Sequence, residues 1–266
     1  MDKRHKQKNK NADKGKNTAT QAKNKNAKRP TITFQKRNEL NALVAELWKL
    51  SVKDSKTSPD IEFAEYVKIQ ELLNEILILE APLRRENVNT TPEARLKHID
   101  AFYEWAMENG LKTDCVKIAE FPGYDLGLKA TRDIAKDEEI CTVPRKLILS
   151  EESLDKRVTE QLSLGSMTNI KLAYVLIIEA MKEASFWKPY IDLLPDKYTN
   201  VLYFTVEEMS ALRNSCAFSP AIRQCKSIAM QYALIYSCAH KAERTNNGTA
   251  ISKVFAEHFN YDLYRL

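Results

Sequence analysis

The sequence has no long apolar run and little glycine, and these two shortages argue against two classes of protein. No apolar stretch approaches the length of a membrane-spanning helix, and the Lys- and Asn-rich first residues lack the apolar core of a signal peptide. Two of the 6 glycines, Gly123 and Gly127, lie in the stretch PGYDLGLKATRDI. A dinucleotide-binding loop opens directly into a helix, whereas this stretch continues as a strand. We therefore expect a soluble intracellular protein without a dinucleotide-binding loop.

Cysteine and histidine are sparse and show no metal-binding spacing. The 5 cysteines are odd in number and include no C-x-x-C pair, which favours free, mostly buried thiols over a disulfide framework. The 4 histidines are scattered along the chain. Because a structural zinc site needs clustered ligands, we expect no bound metal.

The basic charge is confined to the first residues of the chain. Residues 1–30 contain 11 Lys or Arg and 2 Asp or Glu, so the remainder holds 30 basic and 34 acidic residues. The N-terminal stretch has almost no apolar side chains and cannot form a core, so we expect a disordered tail. The simplest hypothesis is a solvated tail without a specific nucleic-acid partner. The alternative is that the tail binds RNA with an affinity that falls as the salt concentration rises.

Helical periodicity dominates the rest of the sequence. Apolar residues recur at three- and four-residue spacing in five long stretches. These stretches predict helices that begin near residue 37, at Pro59, at Thr91 (ending at Gly110), at Thr168 and at Ser219 (ending near Lys241). A shorter helix follows Thr205, which has capping-box spacing to Glu208.

One β unit interrupts the helices. The stretches CVKIAEF, LGLKATRDI and EICTVPR alternate apolar and polar residues and are separated by turn residues, so they predict three strands within residues 114–150. The fold class is α+β, mostly helical, with one small β unit.

Two stretches resemble the SET-domain methyltransferases of the Rubisco-methyltransferase-like branch. GLKATRDIAKDEEICTVPRKLILS resembles the start of the SET domain, and SFWKPYIDLLPDKYTNVLYFTVEEM resembles its helical insertion, including a strand before the acidic helix. The resemblance is strongest to members of the branch that methylate a histidine of actin. It implies S-adenosylmethionine as the cofactor and a histidine imidazole of actin as the methyl acceptor, with a lysine acceptor as an alternative.

The resemblance also implies which residues hold the cofactor. Arg95 matches an arginine that pairs with the carboxylate of the cofactor; spacing alone would also fit a solvated arginine. The family's acidic-Gly-Phe-Gly-Leu strand matches Tyr124, Asp125, Leu126, Gly127 and the leucine that follows. Asp125 thus replaces a glycine, and Tyr124 either stacks on the adenine or is an ordinary turn residue.

On the last long helix, the segment KSIAMQYALIY resembles the part of the family that contacts the actin peptide. Gln231 matches the glutamine of an Arg-Gln pair, so it is the candidate substrate-binding residue. Met230 stands where the arginine would be. The two tyrosines that follow, Tyr232 and Tyr236, are expected in the helix core.

The resemblance divides the chain into four parts: a basic tail (1–36), N-terminal helices (37–113), the first part of the SET domain (114–150) and a helical insertion (151–266). The family's second half supplies an Asn-His segment and a tyrosine beside the methyl group, and neither is found here. We therefore expect no catalytic residue in the chain and an inactive or nearly inactive protein on its own. A non-catalytic actin-binding or decoy fragment is the alternative. We expect a monomer in the cytoplasm, with the nucleus left open as a second location.

Overall fold

The structure is a computed structural model of the chain. It describes residues 31–53, 58–84, 89–153, 168–182, 184–244 and 255–266. Most of the expected disordered tail, residues 1–30, lies outside the described residues. Within the described part, no helix has both the length and the apolar character required to cross a bilayer.

Helices provide most of the described structure, as the sequence predicts. The α-helices in chain order are α1 (Phe34–Val52), α2 (Pro59–Leu79), α3 (Pro92–Leu96), α4 (Ile99–Glu108), α5 (Thr168–Met181), α6 (Lys188–Ile191), α7 (Val206–Ala211), α8 (Phe218–Arg244) and α9 (Tyr261–Arg265). Short 3-10 helices cover Ala81–Leu83, Arg145–Leu147, Glu151–Ser153 and Val201–Tyr203. The strands are β1 (Val116–Phe121) and β2 (Asp125–Ala130).

The main core lies where α8 packs against α1 and α2. In α1, Leu40, Val44 and Leu47 recur at three- and four-residue spacing, so one stripe of the helix is buried. Tyr232 and Tyr236 of α8 are also buried, which confirms their expected place in the core. Each fully buried side chain of this size contributes about 1.5–3 kcal/mol, so these stripes account for much of the stability.

The predicted helix ends at Thr205 and Gly110 have the expected capping geometry. Thr205 and Glu208 form both hydrogen bonds of a capping box at the start of α7. Ser58 stands at the N-cap of α2 but its side chain makes no capping hydrogen bond, so Pro59 at the first helical position is the remaining start signal. Gly110 has φ +92° and follows the end of α4, where a left-handed residue is favoured.

The single helix predicted from Thr91 to Gly110 is wrong, because it is broken into α3 and α4. At the break, the amide of His98 donates to the carbonyl of Arg95 at 3.0 Å, three residues back instead of four. The amide of Phe102 then donates to the carbonyl of His98, which restarts the α-helical ladder. The tighter turn follows the end of α3 at Leu96, one residue after Arg95.

The β unit contains two strands, and the prediction of a third is wrong. β1 and β2 pair antiparallel, with Ala119 opposite Gly127. The stretch EICTVPR makes only an isolated bridge between Thr142 and Lys112, and the chain then enters a 3-10 helix. Pro144 has no amide hydrogen to continue a ladder, which explains the end of pairing. The strand expected before α7 is also wrong, because a 3-10 helix occupies Val201–Tyr203.

A tyrosine of α4 contacts the sheet through its hydroxyl group. The amide of Ile118 in β1 donates to the hydroxyl oxygen of Tyr103 at 2.8 Å. This hydrogen bond ties the sheet to α4, and a two-stranded ribbon needs such support because it is marginally stable alone.

All five cysteines are free, as predicted, but they are not mostly buried. Cys115 and Cys225 are buried, whereas Cys141 and Cys216 are exposed and Cys238 is intermediate. Burial raises the pKa of the Cys225 thiol to about 11. This thiol therefore stays protonated at neutral pH.

A buried carboxyl group joins the C-terminal segment to the main core. Glu80 follows α2 and is 0% exposed. Its Oε1 accepts a hydrogen bond from the Tyr232 hydroxyl at 2.6 Å, and its Oε2 accepts one from the Tyr261 amide at 2.7 Å. Burial raises the pKa of Glu80 to about 7, although these two hydrogen bonds and the charges of Arg37 and Arg84 act in the opposite direction. The carboxyl thus links α2, α8 and α9.

We expect Glu80 to make stability depend on pH. A raised carboxyl pKa in the folded state means that protonation favours folding, so this stabilisation is complete below about pH 4.5 and is lost as the pH rises through 7. The free energy of unfolding should lose up to about 3 kcal/mol across this interval. Glu80→Gln keeps the shape without titrating, and urea unfolding between pH 5 and 7.5 should show a flatter profile.

Glu75→Gln, on an exposed position of α2, is the matched control and should keep the wild-type profile. An identical pH dependence in Glu80→Gln and the wild type would contradict this assignment.

Candidate functional site

The candidate site is built around the guanidinium group of Arg95. Its Nε donates to the carbonyl of Leu193 at 3.0 Å, and its Nη1 donates to both carboxylate oxygens of Asp125 at 3.0 Å. The Arg95 side chain is 16% exposed and that of Asp125 is 49% exposed. The structure therefore brings together two residues that the resemblance assigns to cofactor binding.

The carbonyl that holds Arg95 lies on a loop fixed by a buried asparagine. The Nδ2 group of Asn89 donates to the carbonyls of Asp192 and Leu194, on either side of Leu193. The amide of Asn89 donates to Oδ2 of Asp196 at 2.7 Å. Asn89 is 6% exposed, so these hydrogen bonds replace those it would make with water. Asn89 therefore positions the backbone that orients the guanidinium.

Asp125 begins β2 in an unusual backbone conformation. Its φ is +62°, a region in which aspartate is found more often than most residues other than glycine. Its Oδ1 accepts a hydrogen bond from the amide of Leu126 at 2.7 Å. Gly123, two residues earlier, has φ +80°. The turn thus uses two left-handed residues, and the second directs a carboxylate toward Arg95.

Tyr124, Leu126 and Gly127, the other candidate residues of this stretch, differ in their exposure and packing. Tyr124 is 86% exposed and its amide donates to the carbonyl of Phe121 at 2.8 Å, so the ring faces solvent at the tip. Leu126 is half-buried. A Cβ at Gly127 would come within 3.1 Å of the Phe121 ring, tighter than ordinary packing. Close packing inside the sheet therefore suffices to explain the glycine at 127.

Gln231 is engaged in a separate contact. Its Nε2 donates to the hydroxyl of Ser227 at 3.0 Å, and its Oε1 accepts a hydrogen bond from the Tyr264 hydroxyl at 2.8 Å. The neighbouring Met230 lines a cavity of about 370 Å³ together with Lys53 and Glu65. Gln231, the predicted substrate-binding residue, is thus hydrogen-bonded to a residue of α9. The structure shows no contact between Gln231 and Arg95.

Several cavities lie near the loop that contacts Arg95, including one of about 270 Å³ lined by Asp196, Lys197 and Tyr203. Another of about 120 Å³ is lined by Asn89, His98 and Leu194. It is smaller than the roughly 300–1,000 Å³ typical of ligand pockets. An apolar groove of about 700 Å³ lies between α4, α5 and α6 and includes Trp105 and Trp187. Within the described ranges, no group of three or more His, Cys, Asp or Glu side chains is arranged to hold a metal ion.

The positive charge of Arg95 acts on a neighbouring tyrosine. The pKa of Tyr198 is raised by burial first and then by Tyr190 and Asp196, while the charge of Arg95 acts in the opposite direction. Tyr198 and Leu193 were not identified from the sequence. The available signal was the segment DLLPDKY, in which a proline and two acidic residues indicate a loop, but nothing in it indicates contact with Arg95.

Solved structures that resemble this chain define its class. A structure of Rubisco LSMT bound to AdoMet is 20% identical, with a TM-score of 0.52, and the match covers 63% of this chain and 38% of that one. The SET domain of LSMT bound to MeLysine and AdoHcy gives 22% identity and a TM-score of 0.50 over 63% of this chain and 37% of that one. The chain has the fold of part of a SET-domain methyltransferase.

Proteins of similar sequence show the family to which the chain belongs. The actin-histidine N-methyltransferase of Drosophila melanogaster is 44% identical over 226 residues, which are 82% of this chain and 42% of that protein. The Xenopus tropicalis enzyme of the same name is 33% identical over 85% of this chain and 38% of its own length. This chain belongs to the family of the actin-histidine N-methyltransferases and spans about two fifths of the length of these relatives. No protein-family model matches it.

We expect Asn89→Ala to destabilise the protein by about 1–3 kcal/mol, because two part-buried carbonyls would lose their donor. Urea unfolding followed by circular dichroism measures the change. Asn214→Ala, at an exposed position, is the control and should shift stability by less than about 0.5 kcal/mol. Equal stability of the two variants would show that Asn89 does not fix the loop.

Proposed function

We propose that this protein acts in S-adenosylmethionine-dependent methyl transfer to a histidine of actin, and that Arg95 binds the carboxylate of the cofactor. The observation that carries the proposal is the Arg95 guanidinium group, which is largely buried and already pairs with a carboxylate at the start of β2. An arginine fork is suited to such a partner because it can donate two charge-assisted hydrogen bonds.

The cofactor would supply an activated methyl group on a sulfonium. The protein's task is mainly positioning, since the acceptor imidazole must be neutral and aimed at the methyl carbon. In this proposal the backbone from Asp125 to Gly127 would hold the methionine part of the cofactor, and the exposed ring of Tyr124 would stack on the adenine. The residues fit the carboxylate end, whereas the small cavity beside the loop would not enclose the whole cofactor.

The proposal assigns parts of the chain to parts of the family's architecture. Residues 37–113 are the helices before the SET domain, residues 114–150 are its first part, and residues 151–266 are its helical insertion. Gln231 is proposed as a substrate contact, which requires the Tyr264 hydroxyl to release it or to share it. We further propose a cytoplasmic monomer without a specific nucleic-acid partner. Actin is the partner that the names of the relatives give.

The acceptor is proposed to be histidine. The relatives named for histidine are 44% and 33% identical, whereas the solved LSMT SET domains bound to MeLysine and to Lysine are 22% and 21% identical. Sequence similarity thus favours the imidazole acceptor over the lysine amine.

The first test is cofactor binding by the purified chain. Arg95→Lys replaces the fork with a point charge, so we expect S-adenosylhomocysteine to bind at least about tenfold more weakly by isothermal titration calorimetry. Arg132→Lys is the matched control, because Arg132 also pairs with a carboxylate but lies on the surface. Unchanged binding by Arg95→Lys would contradict the role of Arg95.

The second test is methyl transfer to actin with a radiolabelled cofactor. The assay measures whether this chain transfers the label to actin or only retains actin. The Drosophila relative is the positive control. Robust transfer by this chain would support the proposed function, and retention of actin without transfer in a pull-down would favour a binding role.

A further inference from the structure

Every donor group of Arg95 except Nη2 has a partner within the described residues. Nε faces the carbonyl of Leu193, and Nη1 faces both oxygens of Asp125. A guanidinium binds a carboxylate through two parallel hydrogen bonds, either from Nη1 and Nη2 or from Nε and one Nη. Both arrangements need a donor that is already used. A carboxylate approaching the site therefore finds only Nη2 available, which supports one anchoring atom and no fork.

The two competing partners differ in how easily they can leave. The carbonyl of Leu193 belongs to the backbone held by Asn89 on both sides, so its release would break several hydrogen bonds. The carboxylate of Asp125 is half exposed, and water can solvate it when it leaves. Although the Arg95 side chain is largely buried, the Asp125 end of the pair is open to water, and a solvent-accessible ion pair is worth only about 0.2–1 kcal/mol. Asp125 is thus the partner that a ligand can displace.

Asp125 is also held in place by its own turn. Its Oδ1 accepts the amide hydrogen of Leu126, which keeps the carboxylate near the start of β2 when it is not bound to Arg95. A ligand carboxylate on Arg95 would then lie close to a second negative charge. Like charges at such range disfavour each other, so the remaining carboxylate weakens binding even after displacement.

We propose that Asp125 is a built-in competitor for Arg95 and weakens the binding of ligands that carry a carboxylate. The inference rests on the proposed role of Arg95 in holding the cofactor, and it concerns selectivity within that site. Asp125 reduces the affinity for S-adenosylmethionine and S-adenosylhomocysteine, and it has no such effect on an adenosine thioether without an amino-acid moiety.

The test compares two ligands and three proteins by isothermal titration calorimetry. Asp125→Asn removes the charge, keeps an oxygen for the Leu126 amide and tolerates a positive φ. It should bind S-adenosylhomocysteine about fivefold more tightly than the wild type, consistent with the strength of an exposed ion pair. Binding of 5′-methylthioadenosine, which lacks the carboxylate, should not change. Asp114→Asn, which breaks the surface pair with Arg132, is the control and should behave as the wild type with both ligands.

The possible outcomes separate this inference from the proposed function. Tightening of S-adenosylhomocysteine alone supports the competition. Equal tightening of both ligands, or no tightening in Asp125→Asn, overturns it while leaving cofactor binding intact. Failure of all three proteins to bind S-adenosylhomocysteine overturns the proposed function and the inference together. Urea unfolding of each variant verifies that it is folded under the titration conditions.

Discussion

The packing of α8 against α1 and α2 is the constraint on which the rest of the structure depends. Apolar stripes of all three helices meet there, and the buried Tyr232 contributes its ring to the core while its hydroxyl reaches Glu80. A buried carboxyl is tolerated because both of its oxygens are hydrogen-bonded. The C-terminal segment joins the same core through Phe255 and Phe259, whose rings stack at 4.7 Å. Helices distant in sequence are thus joined by an apolar core and by the hydrogen bonds of the Glu80 carboxyl inside it.

Helices and most of their ends could be predicted from the sequence because they depend on local interactions. The capping box of Thr205 and Glu208 and the left-handed Gly110 involve residues within one turn of each other. The break between α3 and α4 could not be predicted, since no glycine or proline marks it in the sequence. The third strand was wrong because a strand requires a partner and alternation alone does not supply one.

The candidate site shows the same division between local and distant information. Arg95 and Asp125 were both identified through a family resemblance, but only the structure shows that they pair with each other. Glu80 was missed because its burial depends on residues far along the chain. An apolar run that ends in Glu-Ala-Pro looks like an ordinary helix end, and nothing in it indicates that the carboxyl is enclosed.

On each strand of the two-stranded sheet, a backbone amide donates a hydrogen bond to a side chain. On β1 the hydroxyl of Tyr103 accepts from Ile118, and on β2 the carboxylate of Asp125 accepts from Leu126. Unpaired strand edges invite association with other chains, and occupied amides oppose it. A residue without an acceptor at position 125 would free the Leu126 amide as well as Arg95. The charge that occupies the guanidinium therefore also limits where an additional strand can join the sheet.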